Sequence, residues 1–194
     1  MDAMVDADTG DHAVRYKGIV VAIHWITALF VLTQIYLGLQ FADMPKGPAR
    51  MDLFTWHKTV GVIILLLALV RLAVRLMNPP PPFPADFPKW GRFAAVWSHR
   101  AFYFLIIGLP LTGLAAVSKK AVNGMTELKG GLSFPVVPIE GIGEVHSLLA
   151  WGLIALLVLH VGAALKQQFY DKTAVADRMP PFRSPRHDEV EVSR

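Results

Sequence analysis

Four histidines of this chain lie within, or at the ends of, long apolar segments: His24, His57, His146 and His160. Ionisable side chains are costly inside a bilayer and mark functional sites there by default. His146 and His160 are 14 residues apart, which on a helix is about 3.9 turns, or ~21 Å, with both side chains on nearly one face. Neutral imidazole is a strong axial ligand for haem iron, and two imidazoles fill both axial positions and favour electron transfer over oxygen activation. The histidines therefore predict two bis-histidine haems, with all four as metal ligands.

The depths of the four histidines predict how they pair. In an antiparallel bundle with both termini on one side, His24 lies ~9 Å and His160 ~12 Å from that side, at about 1.5 Å per residue. His57 and His146 lie ~6 Å and ~3 Å from the opposite side. We expect His24 to pair with His160 between the first and fourth helices, and His57 with His146 between the second and fourth. The alternative for any single histidine is a structural hydrogen bond between helices.

Three further basic side chains have a predicted place near the haems. Arg71 and Arg75 are four residues apart near the end of the second helix. They are placed to neutralise the propionates of the haem between His24 and His160. Snorkelling to the membrane surface explains them as well, and the two roles are compatible. His99, at the start of the third helix, either lines a quinone pocket, touches a haem propionate, or is an interfacial polar residue. The sequence assigns no residue a catalytic role.

The elements that must position these residues are four apolar segments. Residues 18–41, 101–118 and 145–165 contain no Asp, Glu, Lys or Arg, and residues 53–77 are apolar for most of their length. A membrane-spanning helix needs ~20 predominantly apolar residues. The sequence predicts an all-α integral membrane four-helix bundle with two b haems between the helices. The helices are expected near 16–41, 53–77, 91–118 and 144–169.

Clusters of proline and glycine separate these segments, at 42–48, 78–88 and 123–138, and such clusters mark loops. The sequence therefore predicts an N-terminal tail at 1–14, one transmembrane cytochrome-like domain at 15–170, and a polar C-terminal tail at 171–194. The C-terminal tail is charged and contains prolines, so we expect it to be mobile. In the third helix, Pro110 and Gly113 predict a kink.

Composition excludes several classes of protein. The chain has 194 residues, is 54% hydrophobic and contains no cysteine. The lack of cysteine excludes disulfides, cysteine-ligated iron–sulfur clusters and covalent haem attachment through C-x-x-C-H. The net charge of +4 does not indicate nucleic-acid binding, because the basic residues flank apolar spans.

The flanking charges predict the orientation in the membrane. Ten basic residues lie on the side of the termini: Arg15, Lys17, Arg71, Arg75, Lys89, Arg92, Arg100, Lys166, Lys172 and Arg178. The opposite side has six: Lys46, Arg50, Lys58, Lys119, Lys120 and Lys129. By the positive-inside rule both termini are cytoplasmic. We therefore expect a multi-pass protein of the bacterial inner membrane, in contact with lipid.

Several short motifs resemble those of the prokaryotic cytochrome b561 family, small di-haem membrane proteins that include superoxide oxidase. The likeness is carried by Ile23-His24-Trp25, Trp56-His57-Lys58-Thr59-Val60-Gly61, His99 followed by Leu109-Pro110-Leu111-Thr112-Gly113, and Glu144-Val145-His146 leading to Leu159-His160. It covers roughly residues 15–170. The resemblance implies four helices, two non-covalent b haems and ubiquinone as a redox partner. It implies the ligand role for His24, His57, His146 and His160.

The resemblance implies an oxidoreductase but leaves the electron donor open. One reading is a superoxide:ubiquinone oxidoreductase, with superoxide oxidised at the periplasmic haem and ubiquinone reduced at a site that the sequence does not identify. The outer loops carry six basic and five acidic residues, so the charge that would attract superoxide is small. One alternative is a quinone-linked cytochrome b subunit fed by a dehydrogenase or hydrogenase partner. Another is a haem-free membrane assembly protein with structural histidines.

Overall fold

Four long helices form the body of the protein. The computed structural model describes residues 16–83, 87–117, 124–137, 139–171 and 178–179. Its helices are α1 (Gly18–Asp43), α2 (Pro48–Met77), α3 (Lys89–Ala116) and α4 (Ile142–Leu165). All four are long and apolar enough to cross a membrane. The prediction of an all-α four-helix membrane protein is confirmed, whereas the tail at 1–14 lies outside the described residues.

The helix ends follow local chemistry. α2 begins at Pro48, five residues before the predicted start, because proline fits the first turn of a helix, where its missing N–H leaves no bond unmade. α3 continues through Pro110, and the nearby Thr112 hydroxyl lies within hydrogen-bond distance of the Gly108 and Leu109 carbonyls, at 2.9 and 3.0 Å. α4 continues as a π-helical turn, Lys166–Asp171. The kink at Pro110 stays a prediction.

A short hairpin between α3 and α4 was not predicted. Strands β1 (Met125–Glu127) and β2 (Ser133–Pro135) pair antiparallel, with Thr126 opposite Phe134. Gly130 and Gly131, in the turn, have φ of 84° and 75°, a conformation that glycine adopts readily. Lys58, ten residues after the start of α2, holds the hairpin through Thr126 Oγ1, at 3.1 Å, and the Glu127 carbonyl, at 2.6 Å. We call this end of the bundle the hairpin end, and the opposite one the terminal end.

The helices pack in chain order, α1 against α2, α2 against α3, and α3 against α4. The core lies mainly among α1, α2 and α3. Helix α4 adds the buried Leu153, and Leu149, Ala150 and Leu156 pack against the core while partly exposed. Large apolar side chains of α4 face outward, with Leu148 72% and Leu159 70% exposed. An apolar helix exposed in this way is stable only where lipid covers it. The exposed faces therefore agree with a membrane protein.

The structure places Arg178 against the bundle, although the segment that contains it was predicted to be mobile. Its side chain is only 7% exposed, and the guanidinium donates to the Pro81 and Pro82 carbonyls at 3.1 and 2.5 Å. Burial lowers the pKa of Arg178 from its ordinary value, yet a guanidinium stays protonated in proteins. The described part of the C-terminal segment thus closes the terminal end.

Candidate functional site: two layers of histidines

Helices α1 and α2 fit together through two glycines. A Cβ on Gly38 of α1 would lie 3.1 Å from His57 Cε1, and a Cβ on Gly61 of α2 would lie 3.3 Å from Gln34 Nε2. Each large side chain thus packs on the glycine of the facing helix. Because Gln34 and Gly38, like His57 and Gly61, are four residues apart, each pair shares one helix face.

Helices α3 and α4 meet in the same manner. A Cβ on Gly113 of α3 would lie 3.1 Å from His146 Cε1. At the other end of this helix pair, the rings of His99 and His160 are 5.9 Å apart between centroids and nearly perpendicular. Both contacts keep the same antiparallel register, since His99 and Gly113 are separated by 14 residues and so are His146 and His160.

Every helix carries two site residues 14 positions apart, which is ~21 Å along a helix. The residues therefore form two layers across the bundle. The hairpin layer consists of Gly38, His57, Gly113 and His146, and the terminal layer of His24, Arg71, His99 and His160. Each layer receives one residue from each helix.

The hairpin layer brings His57 and His146 together. Their ring centroids are 6.3 Å apart with planes at 78°. Metal–imidazole bonds of ~2 Å on opposite sides of one metal ion place two ring centroids about 6 Å apart. His146 Nδ1 lies 3.0 Å from the Leu109 carbonyl, which only accepts, so the proton is on Nδ1 and Nε2 has the free lone pair. This is the tautomer of a histidine that binds metal through Nε2.

The second histidine of this layer is held differently. The Gln34 amide nitrogen lies 3.1 Å from His57 Nε2. Because an amide N–H only donates, Nε2 accepts and the proton of the neutral ring is on Nδ1. Among the described residues, His57 Nδ1 and Gln34 Oε1 are both buried and without a hydrogen-bond partner. His57 therefore has the tautomer of a ligand, with its lone pair occupied by Gln34.

The terminal layer contains three histidines and one arginine. Arg71 Nη2 donates to His24 Nδ1 at 2.9 Å, so the proton of neutral His24 is on Nε2. His99 Nδ1 donates to the Ala95 carbonyl at 2.6 Å, which leaves Nε2 of His99 with the free lone pair. The contacts in this layer therefore join His24 to Arg71 and His99 to His160, and the pairing of His24 with His160 stays a prediction.

Basic and phenolic side chains line a cleft beside the terminal layer. The residues that matter for its chemistry are Tyr16, Arg71, Arg75, His99, Tyr103 and Met179. Arg75 Nη1 lies 3.5 Å from the Tyr16 hydroxyl, and the Arg71 guanidinium lies over the Tyr103 ring at 5.9 Å. Within the described part of the chain, neither arginine forms an ion pair with a carboxylate. The cleft is therefore suited to a carboxylate or carbonyl group of a ligand.

The number of side chains needed as ligands distinguishes a haem site from a site for a bare metal ion. Within the described ranges, no three His, Asp or Glu side chains converge to hold a metal ion. Haem needs only two axial ligands from the protein, and each layer contains two or more histidines. The glycines that admit the rings of His57 and His146 fit a haem in the hairpin layer. The arginines of the cleft fit the propionates of a haem in the terminal layer.

Sequence comparison agrees with the architecture. The family model for prokaryotic cytochrome b561 matches residues 15–181, most of the chain. The chain belongs to the prokaryotic cytochrome b561 family. A cytochrome b561 is a membrane electron carrier, and membership implies haem b as its prosthetic group.

Curated relatives cover nearly the whole chain. "Cytochrome b561 homolog 2" of Escherichia coli (strain K12) is 29% identical over 177 residues, 85% of this chain and 90% of that protein. "Cytochrome b561 homolog 1" of the same organism is 27% identical over 179 residues, 87% of this chain and 98% of that protein. "Probable superoxide oxidase CybB" of Yersinia pestis is 26% identical over 174 residues, 86% and 96% respectively.

Several glycines and tryptophans of the spans do not take part in the close helix contacts of this cytochrome b561. A Cβ on Gly152 or Gly162 would meet no atom within 4 Å. Trp151 is 63% exposed, and Trp56 lies under the Lys129 ammonium. Trp25 contacts His24 edge to face.

Sequence reasoning missed two contacts in the hairpin layer. Gln34 was not singled out, although a polar side chain in an uncharged span is itself a signal. Gly113 was noted only for a kink, although its 14-residue distance from His99 repeats that between His146 and His160. The shared spacing would have placed Gly113 at the depth of His146.

Proposed function

We propose that this cytochrome b561 holds two b haems and transfers electrons from superoxide on the periplasmic side to ubiquinone. His57 and His146 would bind the haem of the hairpin layer, and His24 and His160 that of the terminal layer. The observation that carries the proposal is the division of all four histidines into two layers ~21 Å apart. Bound haem supplies one-electron chemistry at a coordinatively saturated iron.

The protein's own groups prepare the hairpin layer for this role. The Leu109 carbonyl fixes the His146 tautomer at 3.0 Å, which both orients the ring and raises its basicity as a ligand. With imidazole on both faces of the iron, superoxide has only to approach the edge of the macrocycle. The relative named probable superoxide oxidase supports this choice of donor, and the positive-inside rule puts the hairpin end in the periplasm.

The terminal layer would serve the quinone and the haem propionates. Arg71 donates to His24 Nδ1 in this structure. His24 would hold haem through Nε2 if the Arg71 guanidinium paired with a propionate instead. The adjoining cleft offers donors to a quinone carbonyl in Tyr16 and Arg75. Oxidation of two superoxide anions yields two oxygen molecules and two electrons, and these reduce one ubiquinone with uptake of two protons.

The experiment is a direct assay of the purified protein. Two b haems per chain, with low-spin bands in oxidised and reduced spectra, are expected in detergent. Addition of enzymatically generated superoxide should reduce the haems, and short-chain ubiquinone should reoxidise them. H57A should abolish reduction by superoxide, while H187A, at a histidine outside the spans, should behave as wild type.

The alternatives give different results in the same assay. A cytochrome fed by a protein partner would hold haem and react with quinol or quinone, but superoxide would leave it oxidised. A haem-free assembly protein would be colourless. Either outcome would overturn the superoxide:ubiquinone activity.

A further inference from the structure

We propose that Gln34 is the positioning residue of the haem ligand His57, accepting its Nδ1 proton through Oε1 when Nε2 binds iron. The inference rests on the proposed binding of haem by the hairpin layer. It starts from an asymmetry: His146 has a fixed acceptor at Nδ1 in the Leu109 carbonyl, whereas His57 Nδ1 has no partner among the described residues. A buried N–H without an acceptor destabilises a protein by about 1–3 kcal/mol.

Among the described residues, His57 has a hydrogen bond at the nitrogen that metal binding would need. The Gln34 amide donates to Nε2 at 3.1 Å, the nitrogen that an axial ligand presents to iron. Gln34 must therefore leave Nε2 when iron is bound there.

Movement of the Gln34 amide away from Nε2 would also give a hydrogen-bond partner to two buried atoms that lack one. Gln34 Oε1 is a buried acceptor without a partner, and His57 Nδ1–H is a buried donor without one. A rotation of the flexible Gln34 side chain that brings Oε1 to Nδ1 would pair the two and release Nε2. The two side chains already share one surface, because the amide packs on Gly61 and the ring packs on Gly38, one turn from Gln34 on the same helix.

The expected consequence is on redox potential. A hydrogen bond from the ligand's Nδ1–H makes imidazole more basic and stabilises ferric iron. Q34M keeps the approximate volume but removes the acceptor, so it should raise the midpoint potential of the hairpin-layer haem. Q34E keeps an acceptor oxygen, ionised or protonated, so its potential should be at or below that of wild type.

The test is a redox titration of both haems in wild type, Q34M and Q34E. The terminal-layer haem is an internal control and should not shift. Q40M is the matched control, because Gln40 lies on the same helix and is exposed. If Q34M fails to fold, Q34L replaces it as the variant that lacks an acceptor, and the same rise in midpoint potential is expected.

The outcomes separate this inference from the proposed function. A higher midpoint potential of the hairpin-layer haem in Q34M, with a potential at or below that of wild type in Q34E, supports the positioning role. If each haem has the same midpoint potential in wild type and in all variants, the role of Gln34 is overturned and the electron-transfer function is left intact. A protein without haem would overturn both. A side chain that merely fills space would tolerate Q34M with no change in potential.

Discussion

The imidazole of His146 lies so close to Gly113 that a methyl group at residue 113 would be 3.1 Å from Cε1 and 3.3 Å from Nδ1. The same relationship joins His57 to Gly38, where the distance to Cε1 is also 3.1 Å. Both glycines therefore set how deeply a candidate ligand sits against the neighbouring helix. Helix pairing and ligand placement depend on the same contacts.

Alanine at Gly113 should disturb the hairpin-layer haem. The added methyl overlaps the His146 ring, and such overpacking typically destabilises by about 1–3 kcal/mol. G113A should lose or loosen one of two haems while the terminal-layer haem remains. The matched control is G108A on the same helix, where a Cβ would meet nothing within 4 Å. Haem per chain, measured as the pyridine haemochrome, checks this, and equal haem content in the two variants would contradict it.

The H24A and H99A variants test whether His24 or His99 is the second haem ligand of the terminal layer, beside His160. We expect H24A to lose the terminal haem and H99A to keep both. His99 is a serious competitor, because its ring contacts that of His160 at 5.9 Å and its Nδ1–H is already engaged by the Ala95 carbonyl. Haem content and the low-spin spectrum of each variant measure the result. Loss of haem in H99A with retention in H24A would reassign the ligand to α3.

The sequence was sufficient to predict the helices because charge-free runs of membrane length have few alternatives. It also placed the histidines in two layers, since depth follows from residue count. Residue numbers do not give the rotation of each helix about its axis, and this rotation decides which neighbouring residue a side chain contacts. The contacts of Gln34 with Gly61 and of His146 with Gly113 are of this kind.

The hairpin was missed for another reason. Its strands have three residues each, too short for a periodic pattern to indicate them. The burial of Arg178 depends on carbonyls at Pro81 and Pro82, nearly a hundred residues away in sequence. No local property of the C-terminal segment indicates that contact.

Arg71 should raise the midpoint potential of the terminal-layer haem. A nearby positive charge favours the reduced form, which has one positive charge fewer. R71Q should therefore lower this potential, and R71K should recover part of it by restoring the charge. R100Q is the control, since Arg100 is exposed and stacks on Trp97 at 5.0 Å. Separate redox titration of the two haems provides the measurement; an unchanged potential in R71Q would mean that its charge acts elsewhere.

Charge at the hairpin end should control the rate of reaction with superoxide, because an anion is steered by the local field. Lys58 directly follows His57 and lies at this end, where its ammonium donates to the Thr126 hydroxyl at 3.1 Å. K58E should slow haem reduction by superoxide severalfold at low salt, with K58Q intermediate. The charge of Lys129 is compensated by an ion pair with Asp52, so D52N should accelerate the reaction.

Varying the ionic strength distinguishes electrostatic steering of superoxide from a structural defect in the hairpin. Differences caused by charge should shrink above ~0.15 M ionic strength, where the screening length is about 8 Å. A structural defect in K58E would persist at high salt. K17E, at the terminal end, should leave the superoxide rate unchanged and serves as the control. Stopped-flow measurement of haem reduction against ionic strength gives both results, and opposite effects of K58E and D52N that vanish together in salt are the expected pattern. Equal rates in all these variants would show that superoxide does not enter by the hairpin end.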